Sequence, residues 1–312
     1  STSDGGSDWR TWKVIDIESK EELIDKIEWS KFSYATWESD SSGFYYQKYK
    51  KTEEVLADVN RSPQLFFHRL SESQKEDKLI YDNKQNPDRS WSISVPEEGD
   101  YRVLSIGEGT DERNLIKIKL DKNKEFVPVI EKFEATYNFL AGIKDTLWFY
   151  TTLDAPLGKV ISLNITDDGK FIWKEVIEES EPISTVSIVG NKIIVNYLKD
   201  TLSRIKFFDL NGNYLSDLDF PDEGTINGFY GKIKDEITYF EFTNYTSPEV
   251  VFEINMNTLK YKPYWKSVVP GFNAGDYSSE IQFYSSLDGT QIPIHLSSKK
   301  GIKIDKDTPV LL

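Results

Sequence analysis

Only two side chains in this sequence, His68 and His295, offer an imidazole for general acid–base work, and there is no cysteine to serve as a thiolate. A serine hydrolase needs its hydroxyl on a strained strand-to-helix turn, usually Gly-x-Ser-x-Gly, beside a histidine that a carboxylate orients. No such run occurs. The nearest string, Gly5-Gly6-Ser7-Asp8-Trp9, lacks the closing glycine. His68 follows Phe66-Phe67 and His295 follows Pro293-Ile294, so both read as structural residues of apolar strands. No catalytic residue is therefore expected within the chain. Metal binding is not expected either, because two distant histidines and scattered carboxylates make no transition-metal ligand set. Gly107-Glu108-Gly109 has no following glycine and no strand–helix context, which argues against a phosphate loop and a nucleotide cofactor. Asp167-Asp168-Gly169 reads as a hairpin turn, not a calcium loop.

The bulk composition narrows the partners. The 52 acidic against 38 basic residues give a formal net charge of −14, the wrong sign for a nucleic-acid surface. An acidic surface keeps a protein soluble and favours cationic peptides over anionic ones. No run approaches the roughly 20 apolar residues that a membrane helix needs. Aromatic residues make up 14% of the chain, and aromatics favour strands.

The elements that must position any site are short strands broken by polar turns. Thr11–Ile17 alternates apolar and polar residues, and the acidic stretch after it reads as turn and loop. A theme then recurs: apolar strand, polar turn, apolar strand, and a third, more amphipathic strand. The first copy runs from Phe32 through the Asp40-Ser41-Ser42-Gly43 turn to Phe44-Tyr45-Tyr46 and on to Gln64–His68. Later copies begin at Trp91, Tyr137, Ser184 and Ile226, and an outer strand at Tyr214–Leu218 follows the Asn211-Gly212-Asn213 turn. Starts spaced by roughly 40 to 60 residues match the period of radial β-sheet blades. The expected fold is all-β, a β-propeller with five complete blades and part of another. The repeat stops near Lys262, and a hairpin with an Asp288-Gly289 turn follows. Thr308–Leu312 reads as the start of an apolar strand, so the chain is expected to be a piece of a longer protein.

Four segments give the chain a strong resemblance to the prolyl oligopeptidase family of serine peptidases. They are Gly6-Ser7-Asp8-Trp9 with Lys26–Ser33 and Thr36-Trp37; Phe67-His68-Arg69-Leu70 with Gln74, Asp77 and Leu79; Glu108-Gly109-Thr110-Asp111 with Asn114; and a tail. The tail is the most specific, with Asp276-Tyr277, Phe283–Thr290, Ile292-Pro293 and Lys299–Lys303. The resemblance implies a seven-bladed propeller over an α/β-hydrolase domain, and cleavage of short peptides after proline. The propeller would act as the gate, with proline-containing peptides and the hydrolase domain, in cis or as a companion fragment, as its partners. Residues 1–20 would be the remnant of an incomplete blade, 21–275 the blades, and 276–312 a linker with the first hydrolase strands. Relatives carry further propeller and hydrolase segments before the first matching position, and the nucleophilic serine, aspartate and histidine after the last.

The resemblance also nominates substrate-facing residues. Phe32 matches an aromatic that lines a subsite upstream of the proline pocket; an ordinary core phenylalanine on an inner strand is the other reading. Thr110 falls where some relatives carry cysteine on the same wall. Ser90 matches an apolar position, and Gly107 falls where some relatives carry a substrate-facing arginine. Asp8 corresponds to an acidic residue that contacts an arginine of the hydrolase domain, unless it is a solvated loop residue. Two other classes stay open on the residues alone. One is a free-standing propeller used for binding, with 276–312 as a docking tail. The other is a five-bladed glycosidase with paired carboxylates in a central funnel.

Overall fold

A computed structural model of the chain describes residues 1–51, 61–121, 124–303 and 305–311. The chain divides into two compact units, Ser1–Glu175 and Val176–Leu312.

The first unit opens with an antiparallel hairpin of β1 (Arg10–Ile15) and β2 (Glu22–Ser30). Three four-stranded antiparallel sheets follow. The first contains β3 (Thr36–Trp37), β4 (Gly43–Lys48), β5 (Gln64–Arg69) and β6 (Lys78–Tyr81). The second contains β7 (Arg89–Ser94), β8 (Arg102–Glu108), β9 (Leu115–Lys119) and β10 (Phe126–Ile130). The third contains β11 (Tyr137–Ile143), β12 (Thr146–Thr151), β13 (Lys159–Ile165) and β14 (Phe171–Ile177), which ends in the second unit.

The second unit holds a sheet of β15 (Ile183–Val189), β16 (Lys192–Lys199), β17 (Leu202–Asp209) and β18 (Tyr214–Asp217). Another follows, with β19 (Thr225–Gly228), β20 (Ile237–Asn244), β21 (Ser247–Asn255) and β22 (Tyr261–Lys266). The hairpin of β23 (Tyr277–Ser285) and β24 (Gln291–Lys299) ends the ordered strands. Among the described residues there are thus five four-stranded meanders, each with its strands paired in chain order. Such local pairing needs only short turns, which is why glycine and asparagine recur between strands. Gly190 and Asn191 join β15 to β16 at φ +60° and +55°, the left-handed pair that a two-residue hairpin requires.

Most inner strands are covered on both faces, because their alternate side chains serve different cores, while β20 leaves Ile237 and Tyr239 exposed on one face. In β4, Phe44 and Tyr46 pack toward the β1–β2 hairpin with Ile27, Trp12 and Val14. Tyr45 points the other way, joining Leu65, Trp91, Ile93, Leu104 and Ile106 between the first and second sheets. In β8, Val103 turns from that cluster to a third one, with Ile116, Ile118, Tyr137, Leu147 and Phe149. In the second unit Ile194, Phe207, Ile226, Phe240 and Ile254 form one cluster between its two four-stranded sheets. Strands buried on both faces read as continuous apolar runs, and the repeat is visible for that reason.

Several expectations need correction. The acidic stretch after Ile17 is not all loop: Glu22–Ser30 is a nine-residue strand paired with β1. Its inward positions include Asp25, 2% exposed, so a polar side chain interrupts the apolar alternation. Phe32 is on no strand. It lies between β2 and β3 with φ +49°, 55% exposed, which removes the core reading. Thr308–Leu311 forms no strand, and Leu312 lies outside the described residues. The expected sheets of three to four strands all have four, and β6, β10, β14 and β22 supply the outer strands that the sequence did not place.

Candidate functional site

A cavity of about 340 Å³ opens between the first and second sheets of the first unit. Phe32, Ser33 and Tyr34 supply one wall from the β2–β3 loop, while Ser90 and Trp91 of β7 and Gly107 of β8 supply another. Asp111, Glu112 and Asn114 line it from the β8–β9 loop. The structure thus brings together Phe32, Ser90 and Gly107, three positions nominated far apart in the sequence. Thr110 is not on the wall. It sits in the exposed turn in which the Asp111 amide donates to the Glu108 carbonyl at 3.1 Å, and the next residue, Asp111, reaches the cavity. Asp8 lines a neighbouring recess of about 450 Å³ that shares Phe32 and Tyr34. The Asp8 side chain is exposed and makes no ion pair among the described residues.

Aromatic surface and carboxylates give the cavity its character. Tyr34 is 87% exposed, so both it and Phe32 present their rings outward. Among the described residues the lining includes Asp111 and Glu112 and no lysine or arginine. Hydrogen bonds from the Arg113 side chain and backbone hold the Asp111 carboxyl down at about 2. Within the lining, Tyr45 donates to Glu38 at 2.5 Å, and Glu38 also pairs with the buried Arg102. Burial, and then that carboxylate, push the Tyr45 phenol up to about 12. The arrangement can hold an extended chain through aromatic contact and hydrogen bonds. It contains no nucleophile paired with a base.

Both histidines are engaged elsewhere. His68 is fully buried, with Nδ1 2.7 Å from Asp77 and Nε2 3.0 Å from Asp25. Tyr46 donates to Asp77 at 2.5 Å and the Ser71 amide donates to Asp25 at 2.6 Å. An imidazole with a carboxylate at each nitrogen and no solvent has no free position for a substrate proton. The cluster ties β2 to the first sheet. His295 lies 2.6 Å from Thr201 Oγ1 and against the Tyr245 ring at 4.8 Å. The Thr201 hydroxyl donates to the Asp200 carbonyl at 2.5 Å, so it accepts from His295 and is not an activated nucleophile. Among the described residues no group of three or more His, Asp or Glu is arranged to hold a metal ion.

Sequence reasoning missed Gln47, and named Asn114 only within a family-like segment, without a role. The Gln47 amide links the Phe32 carbonyl to the Trp91 amide, at 3.1 and 3.2 Å. Asn114 donates to the Tyr137 carbonyl at 2.9 Å and accepts from the Tyr137 amide at 2.7 Å. A polar residue in or beside an inner apolar strand, as in Phe44-Tyr45-Tyr46-Gln47, was the available signal.

Comparison with known proteins agrees with this architecture. Residues 1–267 match the family model described as prolyl oligopeptidase, N-terminal beta-propeller domain. A prolyl endopeptidase of Elizabethkingia miricola is 34% identical over 314 residues, covering 100% of this chain and 44% of its own length. One from Dictyostelium discoideum is 28% identical, over 91% of this chain and 41% of its length. A solved prolyl endopeptidase structure superposes with a TM-score of 0.83 at 29% identity, over 96% of this chain and 44% of that one. Prolyl oligopeptidase B of Galerina marginata shares the fold at a TM-score of 0.85 and 23% identity. The chain spans less than half the length of these relatives. It belongs to the prolyl oligopeptidase family, and its four-stranded antiparallel sheets are those of that family's N-terminal β-propeller domain.

Proposed function

We propose that the chain is the substrate-gating propeller portion of a serine endopeptidase that hydrolyses short peptides on the carboxyl side of proline. The chain itself is non-catalytic, and its partner is an α/β-hydrolase domain of the same polypeptide. Residues 21–275 form the blades, 1–20 belong to an incomplete blade, and 276–312 lead into the hydrolase domain. Phe32 and Ser90 line a subsite for residues upstream of the proline, with Thr110 at its rim, and Asp8 faces the hydrolase domain. One observation carries this reading: similarity to prolyl endopeptidases runs along the whole chain yet covers 44% of their length.

The test compares the chain with the full-length polypeptide on a chromogenic Gly-Pro reporter. The full-length protein is expected to turn the reporter over, and the chain alone is expected to leave it intact. Turnover by the pure chain that survives substitution of both His68 and His295 would overturn the proposal.

A further inference from the structure

We infer that Gln47 is the positioning residue that sets Phe32 as a wall of the substrate cavity, an inference that rests on the subsite reading above. Phe32 stands at φ +49°, and Trp29, three residues earlier, at φ +61°. Non-glycine residues keep such a backbone only where surrounding contacts hold them there. Packing of the Phe32 ring is not that contact, since the residue is 55% exposed. The hold is on the backbone and on the flanking residues. The Gln47 side-chain amide donates to the Phe32 carbonyl at 3.1 Å, and the Gln47 backbone amide donates to Ser33 Oγ at 2.8 Å. On the other flank, Lys31 is 4% exposed, its ammonium 3.9 Å from the Trp9 ring centroid and 5.1 Å from that of Tyr49.

The second half of the Gln47 amide reaches the opposite wall. Its Oε1 accepts from the Trp91 backbone amide at 3.2 Å, next to Ser90. The Trp91 indole is fixed in turn by donating to the Pro63 carbonyl at 3.0 Å. One buried amide, 7% exposed at the residue level, therefore spans the cavity floor from the Phe32 side to the Ser90 side. Only a side chain with a donor at one atom and an acceptor at the other serves both contacts. Gln47→Glu keeps size and the acceptor for Trp91 but sets a second oxygen against the Phe32 carbonyl. Gln47→Met keeps the volume and loses both contacts.

The experiment uses the full-length enzyme and two reporters, one ending at the residue before proline and one extended, with a bulky residue two places before proline. Phe32→Ala is expected to lower kcat/KM on the extended reporter by about 5- to 30-fold relative to the short one. Gln47→Glu and Gln47→Met are expected to shift the same ratio by about 3- to 10-fold, through KM and not kcat. Added to Phe32→Ala, they are expected to change the ratio no further, because they act through the same ring. If Phe32→Ala affects both reporters equally, the subsite reading falls. If Phe32→Ala is selective while the Gln47 variants act on both reporters alike, or multiply the Phe32→Ala effect, the positioning role falls and the subsite stands. Should the Gln47 variants fail to fold, Ser33→Ala removes the adjacent anchor. It is expected to give a selective loss of about twofold to fivefold, and no selective loss would overturn the inference.

Discussion

Gly43 and Gly107 both lie in strands of the first unit, and their surroundings assign them opposite roles. A Cβ on Gly43 would sit 2.1 Å from the His68 carbonyl oxygen and 2.7 Å from the Phe67 ring. Gly43 faces Arg69 across the β4–β5 ladder, so backbone would have to move to admit a methyl group. A Cβ on Gly107 would meet only Ser90 Oγ, at 3.6 Å, an ordinary contact at a backbone open to any residue. Gly43→Ala is therefore expected to destabilise the protein by about 2–3 kcal/mol, the range for overpacking. Gly107→Ala is expected to be neutral or stabilising by about 0.5 kcal/mol, because it lowers the entropy of the unfolded chain. Thermal unfolding of the two variants checks the pair, and equal losses would contradict it. The turn-like Asp40–Gly43 string flagged Gly43 in the sequence, but the close approach of His68 is tertiary and left no local trace. Phe32 was nominated through family resemblance. Its left-handed backbone has no signature in residue spacing, and Gln47 beneath it shows only as a polar residue ending an apolar run.

At the scale of elements, adjacent sheets share no ladder among the described residues, so side chains and a few backbone bonds such as Ser203 N–H to the Gly224 carbonyl supply the polar links between them. Asn114 binds both backbone groups of Tyr137, and in the second unit Asn196 donates to the Ile226 carbonyl at 2.8 Å. The first and second sheets are further joined by Glu38, which takes hydrogen bonds from Tyr45 and Arg102. This link makes stability depend on pH. Burial first, and then the Glu38 carboxylate, push the Tyr45 phenol up to about 12, whereas an unfolded tyrosine titrates near about 10. Tyr46 is shifted upward too, by burial and by its bond to Asp77. Between those values the folded state keeps a proton that the unfolded state releases, so stability falls as pH rises. The contribution is complete below pH of about 10 and declines from there toward 12, on the order of 2 kcal/mol for Tyr45. Urea midpoints are expected to be flat from about pH 8 to 10 and to fall above it. The fall should be shallower in Tyr45→Phe, and identical slopes would remove Tyr45 as a source. The two-face strands were legible because both sets of alternate residues are apolar, as in Leu147-Trp148-Phe149 of β12. Of the outer strands only β18 was, after its Asn211-Gly212-Asn213 turn. β10 and β22 contain Pro128 and Pro263, tolerated because an edge strand need not donate at every position. β2 was hidden for another reason, since its buried Asp25 makes sense only beside His68 from another sheet.

At the scale of the whole molecule, the repeat and the family were legible because each sheet is a local meander encoded in one stretch of sequence. What covers the outermost faces is not encoded that way, and the exposed apolar side chains mark where coverage is wanting. On the β1–β2 hairpin, Ile15 is 59% exposed, Ile17 90% and Ile24 79%. In the second unit, Tyr264 and Trp265 of β22 are 64% and 51% exposed, and Phe283 and Tyr284 of β23 are 50% and 53% exposed. Both terminal hairpins are two-stranded sheets; the first has its edges met only by a bridge from Thr2 to Thr11 and by the Tyr49 amide on the Trp29 carbonyl, among the described residues. Long apolar edges template pairing with another chain, and contiguous apolar patches drive association. Opposing this is the net charge of −14, whose repulsion acts across a Debye length of about 10 Å at 0.1 M salt and about 3 Å at 1 M. The isolated chain is therefore expected to self-associate, and to do so more as salt rises. Size-exclusion chromatography with light scattering at about 0.05 M and about 0.5 M salt reads this directly. Lysines placed on the first hairpin, as Ile15→Lys with Ile24→Lys, are expected to shift the population toward monomer. Adding the α/β-hydrolase domain proposed above as its partner is expected to do the same without substitutions. A monodisperse monomer at both salt concentrations, unfolding in one sharp transition, would show that these surfaces need no cover. The free-standing binding propeller would then become the better account of the chain.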